Sequence, residues 1–156
     1  MSKGMRRRGR ELALKIIYSY QDTDASVESV LEDFWNNFRF REDVLGEAVD
    51  ETSEVVPLDV RRFTEDLARG AIANLSELDG VIKEYSTNWT LERMAKVDLS
   101  LLRLATFELL FHPDVPTSVV INEAIEIGKR YGTKDTPSFI NGILDKISRT
   151  RRQQAQ

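Results

Sequence analysis

The chain has 156 residues, 41% of them hydrophobic, enough for one compact domain or two small subdomains around a real core. It carries a net charge of -4, no Cys and a single His, His112, which excludes disulfides, thiolate catalysis, Cys-based zinc or iron–sulfur sites, His-cluster metal sites and His-dependent triads. No apolar run approaches the ~20 residues that span a bilayer, and the Arg-rich start lacks the apolar stretch of a signal peptide, so a cytoplasmic protein is expected.

The first predicted helix opens on RRRGR and continues into ELALKIIYSYQ. Leu12, Ala13, Ile16, Ile17 and Tyr20 recur at helical spacing and form its core stripe. If the helix reaches back to Arg6, then Arg7, Arg10, Leu14, Tyr18 and Gln21 line a separate flank, cationic at one end and aromatic at the other. Tyr18 can equally be a boundary aromatic. A turn follows, DTDAS, with Asp24 or Ser26 as the N-cap. Val27, Val30, Leu31, Phe34, Trp35 and Phe38 then mark an amphipathic second helix whose aromatics belong to the core.

Residues 40–56 are acidic and weakly periodic and read as a surface loop. Pro57 suits the first turn of a third helix with the face Val60, Phe63, Leu67, Ala71 and Leu75. Ser76 with Asp79 three residues on reads as a capping pair for a fourth helix faced by Leu78, Val81, Ile82 and Tyr85. STNWT then breaks the pattern. From Asp98, read as an N-cap, DLSLLRLATFELLF is apolar almost all round, the signature of a buried central helix. Arg103 inside it needs a carboxylate or carbonyl partner. HPDVP ends that helix, and His112 is a turn residue. Val120, Ala124, Ile127, Gly128 and Tyr131 mark the next helix, which stops at Gly132. Thr136-Pro137 reads as an N-cap with Pro at N1, opening a last helix faced by Phe139, Ile140, Ile143, Leu144 and Ile147, followed by a frayed tail. The fold class is all-α: about seven helices in two packed helical bundles, one domain over 1–156 with halves at about 6–75 and 76–148.

Charge is distributed unevenly along this framework. Residues 1–10 hold Lys3, Arg6, Arg7, Arg8 and Arg10 and no acid, whereas residues 22–66 hold fourteen acids against four bases. From Ile127 onward there are seven bases and two acids. Basic ends around an acidic middle point to a polyanion at one surface, most often nucleic acid. An Arg cluster opening a helix can dock along phosphates, since arginine forks match phosphate geometry. The start of the last helix is a second candidate anion site, which Asp135 opposes by its charge. No catalytic constellation is found: G-x-S-x-G and G-x-G-x-x-G are absent, and Gly128-Lys129 is not a P-loop because Glu123 stands where the first Gly belongs and Arg130 where Ser or Thr does. No catalytic residue, metal or cofactor is expected.

The stretches RRRGRELALKIIYSYQ, LARGAIANLSELDGVI, VDLSLLRLATFELL, PTSVVINEAIEIGKRYG and SFINGILDKI follow one another in an order that resembles the NusB family of bacterial transcription antitermination factors. The resemblance runs from Arg6 to Ile147. It implies a fold of two packed helical bundles and binding to boxA-type RNA of nascent ribosomal RNA transcripts. It also implies a protein partner, the ribosomal protein NusE, and membership of an RNA polymerase elongation complex with other Nus factors. The implied RNA side takes in Arg6, Arg7, Arg8, Arg10, Asp135 and Phe139, although Phe139 also shares a helix face with Ile143 and Ile147. The implied NusE contact takes in Tyr18 and Asp98, the latter shorter than the Glu of the family member compared. Some members self-associate, so a homodimer belongs among the implied partners; a membrane does not. Two other readings stay open: a plain helical protein-interaction module, and a domain related to the NusB-like part of RNA methyltransferases, without catalytic activity.

Overall fold

The computed structural model describes residues 1–20, 25–37 and 56–152. Among them lie seven α-helices and no strand: α1 (Lys3–Ser19), α2 (Val27–Asn37), α3 (Leu58–Ala73), α4 (Leu75–Tyr85), α5 (Lys96–Phe111), α6 (Thr117–Tyr131) and α7 (Thr136–Ile147). A 3₁₀ turn at Leu91–Arg93 precedes α5, and a π-helical turn at Ser148–Arg152 continues α7. The all-α expectation therefore holds. The chain divides into two compact units, Met1–Ala73 and Asn74–Gln156. None of the helices among the described residues is long and apolar enough to cross a membrane.

In the first unit α1 packs along α3, and α2 packs against both. The helix α1 begins at Lys3 because Ser2 caps it, its hydroxyl accepting the Met5 N–H at 3.1 Å. The whole of RRRGR is consequently helical. The next cap is settled in the same way: the Ser26 hydroxyl accepts the Ser29 N–H at 3.1 Å, whereas Asp24, the other candidate, lies outside the described residues, as do Gln21, Phe38 and the expected loop at 40–56 except for Val56. Leu12 of α1 and Val60 of α3 form a buried pair, with Met5, Phe34, Trp35 and Val56 packed around it. The second helix is fixed to the third by polar contacts as well. Trp35 Nε1 donates to Glu65 at 2.9 Å, and Arg69 forks onto Glu28 at 2.8 and 3.2 Å. That fork holds the Glu28 carboxyl below its ordinary range.

In the second unit α5 is the central helix, packed by α4, α6 and α7. Leu101, Leu102, Leu104, Ala105, Phe107 and Leu109 are all buried along it, as a stretch apolar on every side requires. Arg103 finds its partner in Asp79 of α4, through a two-pronged contact at 2.7 and 2.8 Å. Asp79 is thereby not part of a capping pair. The helix α4 starts at Leu75 after Asn74, so Ser76 is not its N-cap and Leu75 does not extend the face of α3.

The tail expected to fray is helical through Arg152. Arg151 reaches Glu84 at 2.6 Å, and Arg152 donates to the His112 carbonyl at 2.7 Å and the Thr117 hydroxyl at 2.9 Å. Arg152 thus occupies the carbonyl end of α5 that HPDVP leaves open, and its burial there pulls its pKa down. Residues 153–156 lie outside the described residues.

Candidate nucleic-acid interface

The cationic cluster sits on the first two turns of α1. Lys3 lies in the first turn, which holds no acid, and Arg6 to Arg10 follow. Cations at this end work against the helix dipole, so the cluster is not there to stabilise the helix. Arg6 is exposed, and Arg7 and Arg8 are half-buried. Arg10 differs: it is only 4% exposed, and its guanidinium carbon lies 5.4 Å from the centre of the Phe63 ring of α3, a cation–π contact.

The flank expected through Arg7, Arg10, Leu14 and Tyr18 is corrected at two of these positions. Arg10 and Leu14 are buried, as is every residue from Gly9 to Ile17. The buried set includes Glu11 and Lys15, so polarity does not mark the outward face of this helix. Tyr18 is half-buried beyond that stretch.

Gly9 explains the glycine inside the arginine run. A Cβ built there would lie 2.5 Å from Phe63 Cδ1, well inside contact distance. The missing side chain lets α3 close on α1. At the same place the buried Thr64 hydroxyl donates to the Val60 carbonyl at 2.8 Å and lies 3.3 Å from the Gly9 carbonyl. Gly9, Phe63 and Thr64 together fix how the arginine-bearing turns leave the first unit.

The remaining candidates lie in the second unit, at the start of α7. Asp98 is not an N-cap. The helix α5 begins earlier, after Ala95, which leaves Asp98 within its first turn. Its carboxylate instead accepts the Thr136 hydroxyl at 2.7 Å. Thr136, read from sequence as the cap of α7, is fully buried in the helix, and Asp135 is the capping residue, with no side-chain cap hydrogen bond. The Thr136 hydroxyl also accepts the Thr133 N–H at 3.0 Å. Gly132 makes room for it, because a Cβ at 132 would stand 2.3 Å from Thr136 Oγ1; the φ of Gly132 is -96°, so space and not backbone conformation demands glycine.

This lock presents Asp135 exposed and Phe139 half-buried, one turn apart, with the Phe139 N–H bonded to the Asp135 carbonyl at 3.1 Å. Phe139 meets Trp89 edge to face, the ring centres 5.9 Å apart at 80°. Trp89 was not among the residues singled out by sequence. Its signal was an aromatic four residues after Tyr85, in register with the face Leu78, Val81, Ile82 and Tyr85 but set beyond the break STNWT. Asp98, Asp135 and Phe139 are therefore brought to one end of α7, and Arg6, Arg7, Arg8, Arg10 and Tyr18 to α1. Among the described residues no group of His, Cys, Asp and Glu could hold a metal ion.

A family model described as the NusB family matches residues 7–149. The chain is 66% identical over 152 residues to the transcription antitermination protein NusB of Syntrophotalea carbinolica, covering 97% of each chain, and 44% identical over 147 residues to that of Geobacter sulfurreducens, covering 94% of this chain and 96% of the other. Among solved structures it is similar to T. maritima NusB, with a TM-score of 0.74 and 38% identity over 93% of this chain and 91% of that one. A chain solved in a complex of NusB and NusE with double-stranded RNA superimposes with a TM-score of 0.73 at 19% identity, a likeness of fold.

Proposed function

The chain belongs to the NusB family, and from that premise we propose that it is a cytoplasmic transcription antitermination factor. It binds boxA-type RNA of nascent ribosomal RNA transcripts together with the ribosomal protein NusE, within an RNA polymerase elongation complex containing other Nus factors. It acts by binding alone and catalyses no reaction. The single observation that carries this reading is the relationship at 66% identity over 97% of the chain to a transcription antitermination protein.

The geometry supports a division of labour within the RNA side. Arg6, Arg7 and Arg8 face phosphates, since all three keep surface exposure on the outer turns of α1. Arg10, held over Phe63, sets the direction of those turns. Asp135 and Phe139 add a second RNA contact at α7. Tyr18 and Asp98 serve NusE. One carboxylate oxygen of Asp98 is taken by Thr136, and the group keeps a second oxygen for the partner. Arg7 and Tyr18, eleven residues apart on one helix, have almost the same azimuth and about 16 Å of axial separation, so an RNA bound at one end of α1 lies within reach of a protein bound at the other.

The test is binding of a boxA-type RNA with and without NusE. NusE should tighten the RNA by the same factor by which RNA tightens NusE, typically 5- to 150-fold. Replacing Arg6 and Arg7 by Ala should weaken RNA binding and reduce the log–log salt slope by roughly one unit for each lost phosphate contact. Unchanged affinity and slope would remove α1 from the RNA interface.

A further inference from the structure

Trp89 is half exposed, at 50% of its surface, a large apolar area to leave in water. It is nevertheless held in place. Its backbone N–H donates to the Ser86 carbonyl at 3.2 Å, and its own carbonyl accepts the Ser86 hydroxyl at 3.2 Å. Ser86 is buried, so the turn carrying the indole is anchored in the second unit. The ring is steadied further by its edge-to-face contact with Phe139, which leaves half of the indole surface open.

We propose that Trp89 is an RNA-contacting residue that stacks one unpaired nucleobase, with Phe139 as the ring that sets its orientation. The proposal rests on the RNA-binding reading given above and deepens it.

Three observations favour a base over a protein side chain. The open surface belongs to one indole flanked by polar residues, not to an apolar groove, which suits a single flat ring. Arg93, four residues after Trp89, and Lys134, five before Phe139, are both exposed and can meet the phosphates on either side of a stacked nucleotide. The indole also contacts Phe139, one turn from Asp135, the two residues assigned above to the RNA contact at α7. Exposed Glu92 and Asp135 balance those two cations, so stacking, not charge, should dominate here. Loss of a stacked base typically weakens binding about 5- to 150-fold.

The experiment uses the full chain with NusE and a single-stranded boxA-type RNA as the probe. Trp89→Ala should weaken RNA binding within that range while leaving the salt slope unchanged, in contrast to the slope lost on replacing Arg6 and Arg7. Trp89→Phe should retain most of the affinity. The chain has two tryptophans, so in a Trp35→Phe background the emission of Trp89 should be quenched on RNA addition, at the concentration that saturates binding. The affinity measurements do not depend on that background folding well. RNA binding that survives Trp89→Ala intact overturns the proposal and leaves the RNA-binding reading standing. A Trp89→Ala defect confined to NusE binding in the absence of RNA also overturns it and reassigns the ring to a protein contact. Failure of the unaltered chain and NusE to bind the RNA at all overturns both.

Discussion

Replacing Gly9 with Ala tests how tightly the arginine-bearing helix is seated. The new Cβ would stand 2.5 Å from Phe63 Cδ1, 3.1 Å from Cε1 and 3.5 Å from Thr64 Oγ1. Ordinary carbon–carbon contacts lie at about 3.5–4.0 Å, so the ring edge must retreat by about 1 Å. Phe63 cannot do so alone, because Arg10 rests over it. Overpacking of this kind costs about 1–3 kcal/mol. Against it stands the helix preference of Ala over Gly, about 1 kcal/mol. The net should be a loss of about 0–2 kcal/mol.

Gly80 supplies the control. It lies in α4, exposed, and a Cβ there meets nothing within 4 Å, so Gly80→Ala should gain the propensity term alone, about 1 kcal/mol. Urea denaturation of both variants should therefore separate them by about 1–3 kcal/mol at equal m-value. Phe63→Leu in the Gly9→Ala background should recover part of the loss by removing the ring edge. Gly9→Ala as stabilising as Gly80→Ala would refute the close approach of α3 to α1.

Further outcomes follow from other contacts. Tyr18→Asp should weaken NusE binding by about 2 kcal/mol or more, the scale of an interface aromatic, with little change in melting temperature; a collapsed melt would make Tyr18 a core residue. Asp79→Ala strands Arg103 at 20% side-chain exposure, between the surface and buried limits, so it should cost about 1–3 kcal/mol in a urea titration. For Glu28 the sign follows from its lowered folded pKa: the Arg69 contact adds stability above the unfolded carboxylate range and loses it as pH falls through the folded pKa. Glu28→Gln should therefore be the less stable chain near neutrality, with the difference vanishing in strong acid, as paired melts at the two pH values will report.

Periodicity made the helices legible, and tertiary contacts decided what it could not. The run from Asp98 to Phe111 announced a central helix because almost every position was apolar, and Arg103 announced its need for a partner. That Asp79 meets this need was hidden, since Ser-x-x-Asp at 76–79 is also the pattern of a helix cap and only packing distinguishes the two. Asp98 and Thr136 misled for a similar reason. Both are residues that favour helix starts, yet each spends its oxygen on the other across two helices. On α1 the stripe of Leu12, Ala13, Ile16 and Ile17 was correctly found, but burial extends to Arg10, Glu11 and Lys15, whose polarity concealed it. At the proposed RNA side, charge clustering singled out Arg6 to Arg10. It had no means of separating Arg10, claimed by Phe63, from its neighbours. Trp89 escaped because STNWT breaks the helix whose face, Leu78, Val81, Ile82 and Tyr85, it would otherwise continue.

The interlock of Gly132, Thr136 and Asp98 makes the tolerance of each position conditional on the other two. Any side chain at 132 collides with Thr136 as it stands, and alanine at 136 would not relieve it because the 136 Cβ itself would lie 2.6 Å away; only glycine at 136 would clear the space, while depriving Asp98 of its donor. Asp98 would then be retained only for its proposed contact with NusE, since its packing role would already be lost. Substitutions that are harmful singly thus become acceptable in a particular order, beginning at 136. An isolated change at 132 is therefore expected to unfold or distort the start of α7, and to be tolerated only where 136 is already glycine.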